Sequence, residues 1–473
     1  MRTLISNGIV VNADGSCRAD VLVEGETIVA VGLAEAAAPA QQPLPVLAPG
    51  AVDRVIDARG RLVIPGGIDP HTHMELPVAG TVSRDTFETG TRAAAFGGTT
   101  TIIDFAGQTR GRPLREGLET WMARAEGRCA IDYGFHVMVN DVSDATLAEM
   151  DTFVAEGITT FKLFTAYPGV QLSDDGAILR AMLRTADNGG LILMHAENGV
   201  AIDVLANANA DAGRTDPWYH GLSRQPGLEA ECVHRVIRLA EAAEVPVYIV
   251  HLSSRDALEE VVRGRQRGAQ VIAETCPQYL ALSIDDLGNG FEGAKFVCSP
   301  PLRPRDHQEA LWQGLANDDL QVVGTDHCPF DFAGQKDLGR GDFRKIPNGL
   351  PGVEERLDLL FQGVVQGHLS VERWVEVCST AAARIFGLGD TKGVIAPGYD
   401  ADIVIYDPGR RHVLSAATHH MAVDYSCYEG REVQGGSDVV LSRGQVIVED
   451  GEYLGRAGDG RFLPRQATGA HLP

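Results

Sequence analysis

Both ends of the chain show short runs of Val and Ile interrupted by turn residues. TLISNGIVVNADG and DVLVEGETIVAVG near the start carry Asn-Gly, Asp-Gly and Glu-Gly, and GVIAPGYDADIVIYDP and VVLSRGQVIVEDGEYLG near the end repeat the pattern. β-Branched residues separated by such dipeptides are typical of hairpins. The sequence therefore predicts one small composite β-sandwich domain formed by residues 1–64 and 388–458.

The middle of the chain alternates between short apolar runs and stretches with helical apolar spacing. Helical spacing occurs in DATLAEMDTFVAEG and AECVHRVIRLAEAAE. The apolar runs are VIPGGIDPH, GTTTIIDFA, IDYGFHVMV, GITTFKLFT, GLILMHAE, VPVYIVHLS, AQVIAETC and LQVVGTDH. Apolar strands joined by crossover helices predict a parallel sheet covered on both faces. The number of repeats favours an α/β fold with a TIM-like (β/α)8 barrel over residues 65–387. The polar residues 459–473 are predicted to form a loosely held C-terminal tail.

Composition and charge narrow the class of protein. The chain has 473 residues, 44% hydrophobic and 22% charged, which is typical of a soluble globular protein. Its formal net charge of −23 argues against nucleic-acid or anionic-membrane partners, which reward basic patches. The 8 cysteines include no C-x-x-C pair, so we expect reduced thiols. The opening residues lack the apolar core of a signal peptide, and no apolar run is long enough to span a bilayer, so we expect a cytoplasmic protein.

Polar residues close several of the apolar runs, at the strand ends where barrel enzymes carry their catalytic groups. These residues are His71, His73, Lys162, His195, His251 and Asp326. Because His71 and His73 are two residues apart, their imidazoles lie on one face of a strand and could chelate one cation, such as Zn²⁺. A single histidine at a strand end is more often structural than a ligand. Several together, on different strands, favour a metal centre.

Lys162 stands inside the otherwise apolar run GITTFKLFT. Burying an ammonium group is costly unless the group is paired or neutralised. One interpretation is an ion-paired or snorkelling lysine. The other is a neutral amine that adds CO₂ to give a carbamate, whose two oxygens could bridge two metal ions. In that case Asp326 supplies a carboxylate as a ligand or proton shuttle.

Longer motifs surround these residues. They are DPHTHMELP, DTFETGTRAAAFGGTTTIIDFA, FKLFTAYPG, MHAEN, VHLSS, CSPPLRP, GTDHCPF, KIPNGLPGVEER and HHMAVDYSCYEGREV. By these motifs the chain resembles the amidohydrolase superfamily and, within it, the dihydropyrimidinase and hydantoinase family, nearly end to end. The H-x-H pair marks only the superfamily, whereas FKLFTAYPG, SPPLRP and IPNGLPGVEER are far more specific.

The resemblance implies two divalent metal ions per subunit. One would be held by His71, His73, Lys162 and Asp326. The other would be held by Lys162, His195 and His251, with Lys162 carboxylated on its side-chain nitrogen and bridging. The nitrogen and oxygen ligands favour Zn²⁺, with Mn²⁺ or Co²⁺ as substitutes. The family commonly forms homotetramers, so a homotetramer or a homodimer is expected.

The resemblance also implies the reaction. A hydroxide bridging the metal ions would attack the carbonyl of a cyclic ureide, and Asp326 would pass the proton to the leaving ring nitrogen. Tyr167 would stabilise the oxyanion. Ser299 and Asn348 would bind the amide edge of the ring. The substituent outside the ring would meet Leu76, Val78 and Phe164, and Val78 departs from the phenylalanine that many relatives carry.

The expected products are N-carbamoyl amino acids from 5,6-dihydropyrimidines (dihydrouracil, dihydrothymine) or 5-substituted hydantoins. The motifs do not decide between these substrates, although HMELPVAGT favours the dihydropyrimidine side. A dihydroorotase would carry an arginine just after H-x-H, where Met74 and Glu75 stand. Allantoinase or another cyclic imide hydrolase is an alternative. A non-catalytic assembly protein of this fold is a further alternative, disfavoured because all six ligand positions are kept.

Overall fold

The computed structural model describes residues 1–32, 52–288 and 290–468. Residues 33–51 of the predicted small domain and 469–473 of the predicted tail lie outside this description.

The strands and helices follow the predicted order. The strands are β1 (Arg2–Asn12), β2 (Gly15–Glu24), β3 (Thr27–Gly32), β4 (Arg54–Asp57), β5 (Leu62–Pro65), β6 (Gly67–Thr72), β7 (Pro77–Val78), β8 (Thr81–Val82), β9 (Thr99–Gly107), β10 (Asp132–Met138), β11 (Thr160–Phe164), β12 (Leu191–His195), β13 (Val247–Ile249), β14 (Val271–Thr275), β15 (Val322–Val323), β16 (Ile403–Tyr406), β17 (Arg411–Val413), β18 (Glu432–Gln434), β19 (Ser437–Ser442), β20 (Gln445–Glu449) and β21 (Glu452–Tyr453). The α-helices are α1 (Phe87–Phe96), α2 (Leu114–Ala125), α3 (Asp144–Ala155), α4 (Asp175–Asn188), α5 (Gly199–Asp211), α6 (Trp218–Ser223), α7 (Pro226–Ala243), α8 (Arg255–Gln266), α9 (Pro277–Ala281), α10 (Gln308–Ala316), α11 (Arg356–Val365), α12 (Val371–Val375) and α13 (Ala381–Ile385).

Eight parallel strands form a nearly closed barrel in the order β6-β9-β10-β11-β12-β13-β14-β15. They are the eight predicted apolar runs, so the predicted TIM-like barrel is confirmed. The seam between β15 and β6 is joined at its carboxyl end by a parallel bridge between Thr72 and His327. There the His73 amide donates to the His327 carbonyl over 2.8 Å.

Helix starts on the outer layer of the barrel are set by capping residues. The side chains of Ser143, Asp174 and Ser254 accept hydrogen bonds from the amide three residues on, at the starts of α3, α4 and α8. Helix α7 begins with Pro226, whose missing N–H costs nothing at a first helical position. In the described part of the chain, no helix combines the length and apolar character needed to cross a bilayer.

Strands from both ends of the chain form one nine-stranded sheet, in the order β21-β20-β19-β16-β5-β1-β2-β3 with β4 paired to β1. Its apolar side chains build a core of their own, which includes Ile5, Val21, Ile28, Ile403 and Leu441. The chain passes from this sheet to the barrel through Gly66, between β5 and β6. A Cβ there would lie 2.1 Å from the Thr100 hydroxyl, so only glycine fits this passage.

A buried lysine ties the sheet to the barrel. Lys392 Nζ lies 2.9 Å from Asp132 on β10, 3.1 Å from Asp400 and 2.5 Å from Asp402. Although burial opposes its charge, these carboxylates raise the pKa of Lys392. The ammonium therefore neutralises a cluster that would otherwise repel itself between the two parts of the chain.

The prediction of a loosely held tail is wrong for residues 459–468. The Leu463 amide donates to the Tyr133 carbonyl and the Arg465 amide to that of Gly157, each over 2.8 Å. Arg465 is 4% exposed and donates to the Thr160 hydroxyl over 2.8 Å. These backbone hydrogen bonds attach the tail to the amino end of the barrel. The polar composition of the tail gave no indication of them.

Candidate active site

The six polar residues predicted at strand ends come together at the carboxyl end of the barrel, and all are buried. His71 lies on β6, Lys162 on β11 and His195 closes β12. His251 and Asp326 follow β13 and β15 in left-handed backbone conformations, with φ of 39° and 52°. Such conformations are uncommon for residues with a Cβ and concentrate at functional sites.

His71, His73 and Asp326 form one group of possible metal ligands. Their donor atoms all lie within 4.8 Å of one another. Asp326 Oδ1 is 3.1 Å from His71 Nε2 and 3.2 Å from His73 Nε2. Two imidazole nitrogens and a carboxylate oxygen form a donor set that suits Zn²⁺ and similar cations.

His195 and His251 form a second group beside the first. His195 Nδ1 lies 2.9 Å from His251 Nε2. The ring centroids of His71 and His251 are 5.4 Å apart, so the two groups adjoin. The residues present therefore fit divalent metal ions, because the imidazole nitrogens converge on a small volume instead of facing separate partners.

The pKa shifts of His73, His251 and Asp326 suit metal ligands. Burial and Lys162 oppose the charge of His71, but Glu274 and Asp326 raise its pKa. Burial lowers the pKa of His73 to about 3 and that of His251 well below its ordinary value, so both are neutral at pH 7. Burial opposes the charge of Asp326, but His71 and His73 hold its pKa well below its usual range. Metal ions bind neutral imidazole and ionised carboxylate.

Lys162 lies against the first group. Its Nζ is 3.0 Å from His71 Nε2 and 4.1 Å from the centroid of the Phe105 ring. Burial lowers the pKa of Lys162 to about 8, since nearby carboxylates compensate only in part. The lowered pKa makes the neutral amine more accessible than in a free lysine, and because Lys162 is only 2% exposed its nitrogen does not snorkel to solvent.

Glu274, on β14, supports the site from behind and was missed by the sequence analysis. Its Oε1 accepts from His71 Nδ1 over 2.6 Å and from the His251 amide over 3.0 Å. The Tyr248 hydroxyl donates to Oε2 over 2.9 Å. The bond to Nδ1 fixes the His71 tautomer that leaves Nε2 facing Asp326. The signal was present, since Glu274 closes the apolar run AQVIAETC.

Glu197 has the same relation to His195. Its Oε2 lies 2.9 Å from His195 Nε2, which leaves Nδ1 facing His251. Arg224 donates to the same oxygen over 2.6 Å. Although burial opposes its charge, Arg224 and His195 hold the pKa of Glu197 far below its usual value. Arg224 directly follows helix α6, and its pairing with Glu197 had no sequence signal.

A cavity of about 520 Å³ opens above these groups. The predicted substrate residues line it: Leu76, Val78, Phe164, Tyr167, Ser299 and Asn348. Asn348 Nδ2 donates to Ser299 Oγ over 3.1 Å. The Tyr167 ring centroid lies 5.3 Å from that of His195, and its φ is 62°. Burial raises the pKa of Tyr167 to about 12, so the phenol stays protonated and can donate.

A barrel that presents buried histidines, an aspartate and a lysine beneath a substrate-sized cavity has the arrangement of a hydrolase whose site could bind metal ions. Comparison with known proteins also indicates a hydrolase. The model of the amidohydrolase family matches residues 62–447.

Individual relatives match over nearly their whole length. The chain is 58% identical to a D-hydantoinase of Streptomyces coelicolor, over 98% of each chain. It is 47% identical to a D-hydantoinase of Geobacillus stearothermophilus, over 99% of this chain and 98% of that one. The crystal structure of a dihydropyrimidinase from Brevibacillus agri superposes with a TM-score of 0.94 at 46% identity, over 99% of both chains. The chain therefore belongs to the amidohydrolase family, in its dihydropyrimidinase and hydantoinase branch, as its motifs predicted.

Replacing Glu274 by glutamine tests its support of the metal ligands. We expect Glu274→Gln to weaken metal affinity by about 10–100-fold, because the amide no longer holds the His71 tautomer as firmly. Metal retained after dialysis against graded chelator measures this. The control is Glu260→Gln, which alters the surface pair between Glu260 and His234. If Glu274→Gln retained as much metal as Glu260→Gln, Glu274 would not support the metal ligands.

Proposed function

We propose that this chain hydrolyses the cyclic amide bond of 5-substituted hydantoins and of 5,6-dihydropyrimidines, giving N-carbamoyl amino acids. The observation that carries the proposal is the cavity of about 520 Å³ in which both ligand groups lie beneath Tyr167, Ser299 and Asn348. The relatives named D-hydantoinase support hydantoins as substrates, and the structural neighbour named dihydropyrimidinase supports dihydropyrimidines as substrates.

We assign two divalent metal ions to the site. One would be held by His71, His73, Lys162 and Asp326, and the other by Lys162, His195 and His251. The nitrogen and oxygen donors favour Zn²⁺, with Mn²⁺ or Co²⁺ as substitutes. When bound, the cations lower the pKa of an attacking water and polarise the ring carbonyl.

Lys162 would serve this site as a carbamate. The neutral amine would attack CO₂, a nitrogen–carbon bond would form as one C=O π bond opens, and the nitrogen would release a proton to solvent to give an anion with two oxygens. The pKa of Lys162, lowered to about 8 by burial, supports this step because only the neutral amine is nucleophilic. The anion would also remove the cost of a buried cation.

Asp326 would transfer the proton. Its carboxylate, ionised by the neighbouring His71 and His73, takes a proton from the attacking water and gives it to the leaving ring nitrogen. The bond between the attacked carbonyl carbon and the ring nitrogen breaks in this step, and that nitrogen becomes the neutral NH₂ of the carbamoyl group, which stays attached to the opened chain.

Tyr167, Ser299 and Asn348 would hold the ring. The protonated Tyr167 phenol would donate to the carbonyl oxygen as its negative charge grows. Ser299 and Asn348 would bind the amide edge, largely through backbone groups. The substituent would lie against Leu76, Val78 and Phe164, whose apolar surface supports apolar side groups.

We also propose a homotetramer, or a homodimer, acting in the cytoplasm on small cyclic ureides. The match to full-length enzymes of one family supports this assignment. Sedimentation equilibrium of the purified protein would give the number of subunits.

A substrate panel on metal-analysed protein tests the proposed function. We would follow ring opening of dihydrouracil, dihydrothymine, hydantoin and 5-substituted hydantoins, with dihydroorotate and allantoin as controls. We expect about two metal ions per chain and turnover of hydantoins or dihydropyrimidines. If allantoin were the only compound turned over, the chain would be an allantoinase and the proposed substrate class would be wrong. Protein that takes up no metal and opens no ring, even with zinc and bicarbonate, would favour the assembly-protein alternative.

The carbamate is tested by Lys162→Ala. We expect loss of bound metal and of nearly all activity, because the ligand shared by both sites is removed. Beyond the mass difference between lysine and alanine, native mass spectrometry should show wild-type subunits heavier than the variant by one CO₂ and two metal ions. A variant that keeps both metal ions and full turnover would remove the carbamate from the mechanism.

Tyr167→Phe tests the oxyanion contact. Removing one such donor should lower kcat by about 10²–10³-fold, with a smaller change in KM. Steady-state kinetics on the best substrate of the panel measures both constants. A raised KM at unchanged kcat would make Tyr167 a binding residue instead.

A further inference from the structure

Lys336 is a buried lysine that the proposed reaction does not use. It opens a short 3₁₀ helix (Lys336–Gly339) and is 0% exposed. Its ammonium donates to three backbone carbonyls, those of Val297 at 3.0 Å, Pro347 at 2.8 Å and Gly349 at 2.8 Å. An ammonium has three donors, so each N–H is matched to one carbonyl.

Within the described part of the chain, no salt bridge involves Lys336. Burial lowers the pKa of Lys336 to about 8, and the thiols of Cys427, Cys298 and Cys328 oppose this shift. Burying a cation without a carboxylate is costly, so the three carbonyl dipoles must stabilise it. An apolar side chain would fill this space without the free-energy cost of burying a charge.

The three carbonyls belong to the two loops that carry Ser299 and Asn348. Val297 lies two residues before Ser299, and Pro347 and Gly349 flank Asn348. The loops also contact each other directly, through the Gly349 amide and the Val297 carbonyl at 3.0 Å.

The loop that holds Asn348 has no free space behind it. Gly349 has a φ of +146°, and a Cβ there would lie 2.2 Å from the Cys328 carbonyl. The ammonium of Lys336 therefore joins two backbone segments whose separation is tightly constrained.

We propose that Lys336 is a positioning residue that sets the separation of the backbone at Ser299 from the backbone at Asn348, and thereby the affinity of the site for the amide edge of the ring. This inference rests on the proposed function. Lys336 acts through the two loops and does not touch the substrate. Its loss should weaken ring binding, while the histidine ligands and Lys162, which lie on or next to other strands of the barrel, keep their places.

The test is Lys336→Met, whose unbranched side chain is one atom shorter than that of lysine and has no donors. We expect KM for the preferred ring substrate to rise about tenfold or more, with kcat changed by less than about threefold and metal content unchanged. The matched control is Lys345→Met, because Lys345 lies on the same segment with a side chain 71% exposed. Unchanged KM in Lys336→Met, or a fall in kcat alone, would overturn the proposal.

Lys336→Gln gives a second test if the methionine variant does not fold. Its amide retains two donors, so KM should lie between those of wild type and Lys336→Met, or above wild type if only this variant folds. A KM equal to that of wild type would overturn the proposal.

Hydrogen exchange separates the inference from the proposed function. In folded variants, the amides of Ser299, Asn348 and Gly349 should exchange faster than in wild type, while those of β11 and β12 should not. Equal exchange throughout would overturn the positioning role even if KM changed. A wild-type protein that opens no ring would overturn the proposed function, and the exchange result would still decide whether Lys336 joins the loops.

Discussion

The bridge between Thr72 and His327 is the contact on which the site depends. It joins the two edges of the barrel sheet at their carboxyl ends. Neighbouring residues of a strand point to opposite faces, so His71 and His73, on either side of Thr72, point the same way. Asp326 precedes His327 on the other side of the bridge, and closing the barrel brings its carboxylate to 3.1 and 3.2 Å from the two imidazoles.

Carboxylates behind the imidazoles then orient the ligands without a metal ion. Glu274 bonds His71 on the nitrogen that faces away from Asp326, and Glu197 bonds His195 on the nitrogen that faces away from His251. In the neutral imidazole, each bond favours the tautomer whose lone pair faces the centre. The tautomers that bind metal ions are thus favoured by the fold, which lowers the cost of ordering the ligands.

The sequence predicted the barrel strands and the six polar strand-end residues because both follow from local pattern. Apolar runs mark buried strands, and topology gathers strand ends wherever the chain closes. Glu274 also lies at the end of an apolar run, but its role could not be recognised from the sequence because it depends on the contact with His71. Arg224 and the tail residue Arg465 depend on contacts between distant segments, which no local pattern encodes. The tail was mispredicted for this reason, since its polar residues bond to the backbone of the barrel.

Three buried lysines show why burial alone does not reveal function. Lys392 lies among three aspartates that raise its pKa, and its role is to hold the sheet to the barrel. Lys336 and Lys162 both have a pKa lowered to about 8 by burial, so titration does not distinguish them. Their partners do. Three carbonyls saturate the donors of Lys336, which fixes it as a cross-link between loops. Lys162 instead meets an imidazole nitrogen and an aromatic ring, and these leave its nitrogen free to react.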